Sequence, residues 1–146
     1  MRRFLTSVLF VTATALLIAA CGSATNDYRG EVLKVQNKYQ QQMTDLTAKV
    51  TTDISGNPAT AGAALTDLAT VVNQFADEVA GVKPPSDKQA LADQLVGAYR
   101  TLAQAALDLK TAVETSDVTQ LQAALAKFNE ATVAESAAID AFNASE

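Results

Sequence analysis

Apolar residues recur at alternating steps of three and four along most of the chain. One series consists of Ala61, Leu65, Leu68, Val72, Phe75, Val79 and Val82. Comparable series run over residues 91–112 and 118–142. A repeat that averages 3.5 residues places its members on one side of an α-helix, as in left-handed helix packing. The pattern therefore predicts long helices that each bury one face, and no stretch shows the alternation expected of a strand.

Turn-forming residues divide this pattern into four segments. Residues 55–58 combine a helix-terminating glycine with a proline that suits a first helical position. Ser86 with Gln89, and Asp117 with Gln120, form capping patterns for the two helices that follow. Short connections between long helices favour an all-α fold, an antiparallel up-down-up-down four-helix bundle. The predicted helices cover roughly residues 27–54, 58–81, 86–114 and 117–143.

The residue types present exclude most catalytic chemistry. The 146 residues contain no His and a single Cys. Without His there is no Ser-His-Asp or Cys-His nucleophile and no di-iron site built on Glu-x-x-His pairs. One Cys cannot form an intramolecular disulfide or a Cys-only metal site. We therefore expect no enzymatic activity, no cofactor and no metal. The many alanines and Gly97 also predict that at least one helix pair approaches closely.

The first 20 residues form a segment of a different kind. Arg2 and Arg3 precede an uncharged, mainly apolar run over residues 4–20, which stops at Cys21. This order is typical of a secretory signal peptide. An uncleaved membrane anchor is the alternative, but the run is at the lower limit of the roughly 17 to 25 residues that span a bilayer.

The residues at this stop resemble the lipobox of bacterial lipoprotein precursors. Ile18-Ala19-Ala20-Cys21 presents an aliphatic residue, two small residues and a cysteine in the order of that motif. The resemblance covers residues 1–22. It implies cleavage between Ala20 and Cys21, and it implies that Cys21 carries diacylglycerol with fatty acyl chains such as palmitate. Lipoprotein-processing enzymes are then partners, and the protein is held at the extracytoplasmic face of the cell membrane, or at an outer membrane where one exists.

This resemblance sets the expected domain organisation. Residues 1–20 are the signal peptide, residues 21–27 are the lipidated N-terminus with a short polar tether, and residues 28–146 are the bundle. The segment Lys83-Pro84-Pro85-Ser86 also resembles a double-proline loop of small all-helical bacterial lipoproteins of unknown function.

Glu135 interrupts the apolar stripe of the last predicted helix. It lies seven residues from an apolar position on either side, and one turn after Thr132. A buried carboxylate needs a partner, or its pKa rises until the group is neutral. Arg100 is the candidate partner, and Tyr99 can add a hydroxyl to such a polar core. The alternative is that the helix is rotated or frayed here and that Glu135 reaches water.

Charge and residue content favour binding over catalysis. Removing Arg2 and Arg3 changes the net charge from -5 to -7, and an acidic protein outside the cytoplasm is a poor candidate for nucleic-acid binding. The first hypothesis is a non-enzymatic binding, accessory or sensor protein that meets another envelope component, such as an envelope protein. The second is a protein that binds a small apolar ligand or lipid between its helices, with polar contacts from Glu135, Thr132 and Tyr99.

Overall fold

The structure, a computed structural model, describes residues 23–115 and 117–145. Within these residues the chain is helical and contains no strand. The predicted all-α, four-helix fold is therefore confirmed. The signal segment, Ala20 and Cys21 lie outside the described residues. The helices are α1 (Ser23–Gly56), α2 (Pro58–Gly81), α3 (Gln89–Thr115) and α4 (Val118–Ala144).

The start of α4 shows the predicted capping pattern. The Asp117 carboxylate accepts hydrogen bonds from the backbone N–H groups of Thr119 at 2.8 Å and Gln120 at 3.1 Å. The Gln120 amide in turn donates to the Asp117 carboxylate at 3.2 Å. The first two of these bonds satisfy backbone donors that have no partner within the helix. They explain why α4 begins directly after Asp117.

Two other helix starts differ from the prediction. The third helix begins at Gln89 and not at Ser86, because the Lys88 N–H bonds to the Pro85 carbonyl at 2.9 Å in a separate turn that precedes the helix. The described part of the first helix starts at Ser23, so residues 23–27, predicted as tether, are helical.

Each helix packs along its length against the next helix in the chain. On the α2–α3 interface, Gly62 lies beside Glu114 and Asp77 pairs with Arg100, so the contacts run in opposite chain directions. Sequence neighbours on the other two interfaces are antiparallel as well. The contacts that establish this are Asp108–Lys127 and Tyr99–Glu135 on α3–α4, and Tyr39–Phe75 on α1–α2 together with the single-residue connection at Asn57.

The predicted apolar stripe of α2 forms the centre of the core. Six of its members are at most 3% exposed, and Val82 at the helix end is partly buried. Gly97 has no part in a close approach of helices, so the role predicted for it was wrong. A Cβ built on Gly62 would lie 3.1 Å from a Glu114 carboxylate oxygen, whereas one on Gly97 would meet nothing within 4 Å. Gly97 lies on the exposed face of α3, away from both neighbouring helices.

The first and last helices are not packed along their lengths as the other neighbours are. They meet at one end, where the Tyr28 and Phe142 rings lie 5.8 Å apart in an edge contact and the Arg29 guanidinium donates to the Asn143 side chain at 3.5 Å. Beyond this contact the facing stripes of both helices remain partly buried. We call this side of the bundle the α1–α4 seam. Its members are Gln36, Met43, Thr47 and Ile54 on α1 and Leu121, Leu125, Thr132, Ser136 and Ile139 on α4.

Candidate functional site

Three aromatic rings from three helices form a layer across the middle of the bundle. The ring centroids of Tyr39 on α1 and Phe75 on α2 are 6.1 Å apart and nearly perpendicular. The centroids of Phe75 and Tyr99 on α3 are 4.4 Å apart with the rings tilted. Each residue lies on the buried face of its helix, and antiparallel packing brings the three to one level. Edge and tilted contacts of this kind are favourable because the positive ring edge meets the negative ring face.

The α1 end of this layer carries a solvated ion pair. The Tyr39 hydroxyl donates to the Glu78 carboxylate at 2.5 Å, and the Lys38 ammonium contacts the same carboxylate at 2.5 Å. The hydrogen bonds from Lys38 and Tyr39 lower the pKa of Glu78. Glu78 is therefore a carboxylate at neutral pH, held at the surface by two donors. This pair was not predicted, because Lys38 and Glu78 lie outside the apolar stripes and nothing in the sequence relates them.

The α4 end of the layer is formed by Tyr99 and Glu135. The Tyr99 hydroxyl interacts with the Glu135 carboxyl group, and burial raises the pKa of both. The interaction with Tyr99 lowers the pKa of Glu135 and so opposes part of the burial effect. No Lys or Arg is among the groups that act on this carboxyl. Tyr39, Phe75, Tyr99 and Glu135 thus place one residue from every helix in a single layer, which we call the aromatic layer.

Arg100 is not the partner of Glu135, so that prediction was wrong. Its guanidinium pairs with Asp77 on α2 at 3.1 Å, and both side chains are more than half exposed. Consecutive residues project about 100° apart around a helix. Because Tyr99 faces the interior, Arg100 projects toward the surface, where it pairs with α2 and also borders the groove between α3 and α4.

Thr132 lies one turn before Glu135 on α4, but it is not among the groups that act on the pKa of Glu135. The Thr132 hydroxyl donates to the Phe128 carbonyl at 2.9 Å, so its hydrogen is used within α4. Around Glu135, the residues on the α3 side, Ala131 and Ala138, are buried, whereas those on the α1 side are partly exposed. Water therefore reaches Glu135 through the α1–α4 seam. The carboxyl group lies among core side chains and also meets solvent, so each of the two expectations for it holds in part.

Tyr28 has a different environment from the other two tyrosines. Its hydroxyl is buried and has no hydrogen-bond partner among the described residues. Burial, together with the negative charge of Asp93, raises its pKa. Its ring packs on Phe142 and closes one end of the α1–α4 seam. Tyr28 therefore packs at this end of the bundle and is not part of the aromatic layer.

The polar groups of the aromatic layer can form hydrogen bonds with a ligand. Tyr99 and Glu135 can exchange a hydrogen bond with a ligand, and an ionised Glu135 can bind a cation or accept from an amine. Within the described residues, no group of three or more His, Cys, Asp or Glu side chains is arranged to hold a metal ion. Glu135 places an acceptor on α4 next to Thr132 and Ser136, which are partly exposed polar members of the α1–α4 seam.

A second concave surface lies on the opposite side of α4. This groove of about 570 Å³ between α3 and α4 is bordered by Arg100, Asp108, Lys127 and Glu130 over a floor of alanines. Lys127 lies 3.6 Å from Asp108, and Arg100 is paired with Asp77. Its cations are thus already near carboxylates of the same chain, and the groove is open to solvent.

Comparison with known proteins gives no match to a family model, a curated protein or a solved structure. Among the described helices, none combines the length and the hydrophobicity needed to cross a membrane.

Proposed function

We propose that the chain is the precursor of a bacterial lipoprotein whose mature helical domain is a non-enzymatic binding protein of the cell envelope. The observation that carries this proposal is the lipobox, Ile18-Ala19-Ala20-Cys21. The described residues downstream of this point form four helices around a shared core that runs from Tyr28 to Phe142.

The proposal of binding without catalysis is supported by the chemistry of the described side chains. The most strongly perturbed groups, Tyr99 and Glu135, lack an adjacent nucleophile and a second carboxylate among the groups that act on their pKa values. General acid–base or nucleophilic catalysis needs such a partner within hydrogen-bond reach. A carboxylate and a phenol in an apolar opening are sufficient to bind and orient a partner.

The lipoprotein assignment is tested by intact-mass analysis of protein purified from bacterial membranes. We expect loss of residues 1–20 and the added mass of acylated diacylglycerol on Cys21. The Cys21→Ala variant should keep residues 1–20, and the neighbouring Gly22→Ala variant should be processed like the native chain. Cleavage at another bond, or an unmodified Cys21 in the mature protein, would contradict the assignment.

A second candidate function, binding of a small amphiphile or lipid, is favoured by the α1–α4 seam. Met43, Leu121 and Leu125 form an apolar, partly buried surface along this seam. Glu135 reaches the same opening, and no cation of the chain is among the groups that act on it. A ligand with an apolar tail and a donor or amine head would match both features.

Native mass spectrometry of the membrane-purified protein tests this second function. We expect a co-purifying small molecule whose occupancy falls in the Glu135→Gln variant. Glu130→Gln is the matched control, because Glu130 lies on the same helix but is exposed and borders the α3–α4 groove. Equal occupancy in the two variants, or no bound molecule in the native protein, would rule out the seam as a ligand site.

A further inference from the structure

The antiparallel packing gathers three segments at one end of the bundle. They are residues 27–31 of α1, the α2–α3 connection over residues 82–88, and residues 142–145 of α4, which we together call the loop end. The Tyr28 ring contacts Phe142, and the Lys88 ammonium donates to the Ser145 carbonyl. A groove of about 410 Å³ between α1 and the connection is lined by Tyr28, Val82 and Pro84 among others. The loop end is thus a defined surface formed by α1, the α2–α3 connection and the end of α4.

The distance from Cys21 to the loop end is short. Only Gly22 separates Cys21 from Ser23, where α1 begins. Two residue steps span at most about 7 Å. The helix then rises about 1.5 Å per residue, so Tyr28 lies about 8 Å along α1 from Ser23. A diacylglycerol on Cys21 lies at the base of the headgroup layer, which is about 5 to 8 Å thick in each leaflet. The loop end is therefore the part of the bundle nearest to the lipid.

The loop end and the sides of the bundle differ in net charge. On the loop end, Arg29, Lys83 and Lys88 are accompanied by Asp27, Glu31 and Asp87, so acids and bases balance. The sides carry the acidic excess, since residues 55–81 sum to -3 and residues 111–141 sum to -4. An acidic side is repelled by anionic lipid, whereas a balanced end is not. The loop end also presents Lys83, which is exposed, between Val82 and Pro84, which are partly buried.

We propose that the loop end rests on the phospholipid headgroups of the membrane that holds Cys21, so that the helices stand upright from the surface. This inference rests on the lipidation proposed above. The turn at Asn57 is then the outermost point of the described bundle, about 40 Å or more from the lipid for helices of this length. The aromatic layer and the opening of the α1–α4 seam face sideways, above the headgroups, where a partner or ligand can reach them.

The orientation can be measured with the lipidated protein in vesicles. The Cys21 sulfur is blocked by its lipid, and the chain has no other Cys, so an introduced cysteine is the single free thiol. A fluorophore is attached at Lys83→Cys on the loop end, at Gln104→Cys midway along α3, or at Asn57→Cys at the opposite end. All three positions are exposed. Ser86→Cys gives a second loop-end position should the first variant fold poorly. The vesicles are phosphatidylcholine, with or without phosphatidylglycerol, and contain a headgroup spin-labelled lipid as quencher.

We expect quenching at Lys83→Cys or Ser86→Cys to exceed that at the other two positions by about threefold or more, because those positions lie about 20 and 40 Å farther along the helices. The difference should persist without phosphatidylglycerol, since the loop end is balanced in charge. Equal quenching at all positions, strongest quenching at Gln104→Cys, or quenching at none would overturn the upright orientation. Intact mass is recorded on the same samples. Absence of the lipid on Cys21 would overturn both proposals, whereas lipid present without loop-end quenching would overturn the orientation alone.

Discussion

Replacing Phe75 tests whether the aromatic layer contributes stability beyond the burial of apolar area. Phe75 is 2% exposed and contacts the rings of Tyr39 and Tyr99. Phe128 on α4 is 3% exposed, and no ring contact is recorded for it among the described residues. The same substitution to Leu removes a similar volume at both positions. The difference between the two variants therefore isolates the ring contacts of Phe75.

The expected magnitude follows from these two contacts. A buried aromatic pair contributes about 0.5 to 1.5 kcal/mol beyond its buried area, so Phe75→Leu should lose about 1 to 3 kcal/mol more than Phe128→Leu. Each Leu variant also loses about 1 kcal/mol from imperfect repacking. Phe75→Ala, which leaves a cavity as well, should lose about 3 to 5 kcal/mol in total. The loss expected for Phe75→Ala is a substantial share of the total stability of a typical domain, which is about 5 to 15 kcal/mol.

Urea unfolding of the mature chain, followed by far-ultraviolet circular dichroism, measures these differences. Cys21→Ser in every sample prevents lipidation and dimerisation through the thiol. The denaturant dependence must be similar among the variants for the free energies of unfolding to be compared. If Phe75→Leu loses no more stability than Phe128→Leu, the aromatic contacts add nothing beyond burial and the reasoning is refuted.

Three further predictions concern single positions. Burial raises the pKa of Glu135 above the unfolded value of 4.5, so the stability present below that value is lost as the pH rises through the folded pKa. Glu135→Gln should therefore be more stable than the native chain at neutral pH, and this difference in stability should disappear on acidification. Urea unfolding midpoints between about pH 4 and pH 8 measure the difference. A difference independent of pH would contradict the raised pKa of Glu135. Gly97→Ala should stabilise the domain by about 0.5 to 1 kcal/mol, because the position is helical and exposed and a Cβ there would meet no other atom within 4 Å. Thermal unfolding measures this, and a lower unfolding temperature in the variant would show that the site is crowded. Asp117→Ala should lose about 1 kcal/mol through the missing N-cap, whereas Asp117→Asn should lose much less. Equal losses in these two variants, measured by urea unfolding, would show that the charge and not the capping bond matters.

The α1–α4 seam gives the two proposed binding functions a common location. It is the side of the bundle where neighbouring helices lack packing along their lengths, and it exposes both an apolar stripe and Glu135. An envelope protein could insert an apolar side chain here, and a small amphiphile could bind in the same opening. The Glu135→Gln and Glu130→Gln pair distinguishes the seam from the α3–α4 groove in either case.

Local chemistry allowed much of the fold to be predicted from the sequence. The stripe of α2 is buried as predicted, because a 3.5-residue repeat fixes which side of a helix is apolar regardless of what packs on it. The Asp117 cap and the break at Asn57 were predictable for the same reason, since each depends on bonds within a few residues. Boundaries were less predictable where the backbone had two acceptable solutions, as at Ser23 and at the turn before Gln89.

The amino-acid sequence by itself determined that the chain forms four amphipathic helices, and it placed Glu135 on the apolar stripe of the last one. Only the tertiary structure decided that Glu135 meets Tyr99, that Arg100 turns instead to Asp77, and that Tyr39 binds Glu78. It also decided that Gly97 faces open space, and that the α1–α4 seam stays open. The physical reason is that periodicity fixes the direction of a side chain relative to its own helix. The rotation and axial offset of one helix against another arise from the packing of all four.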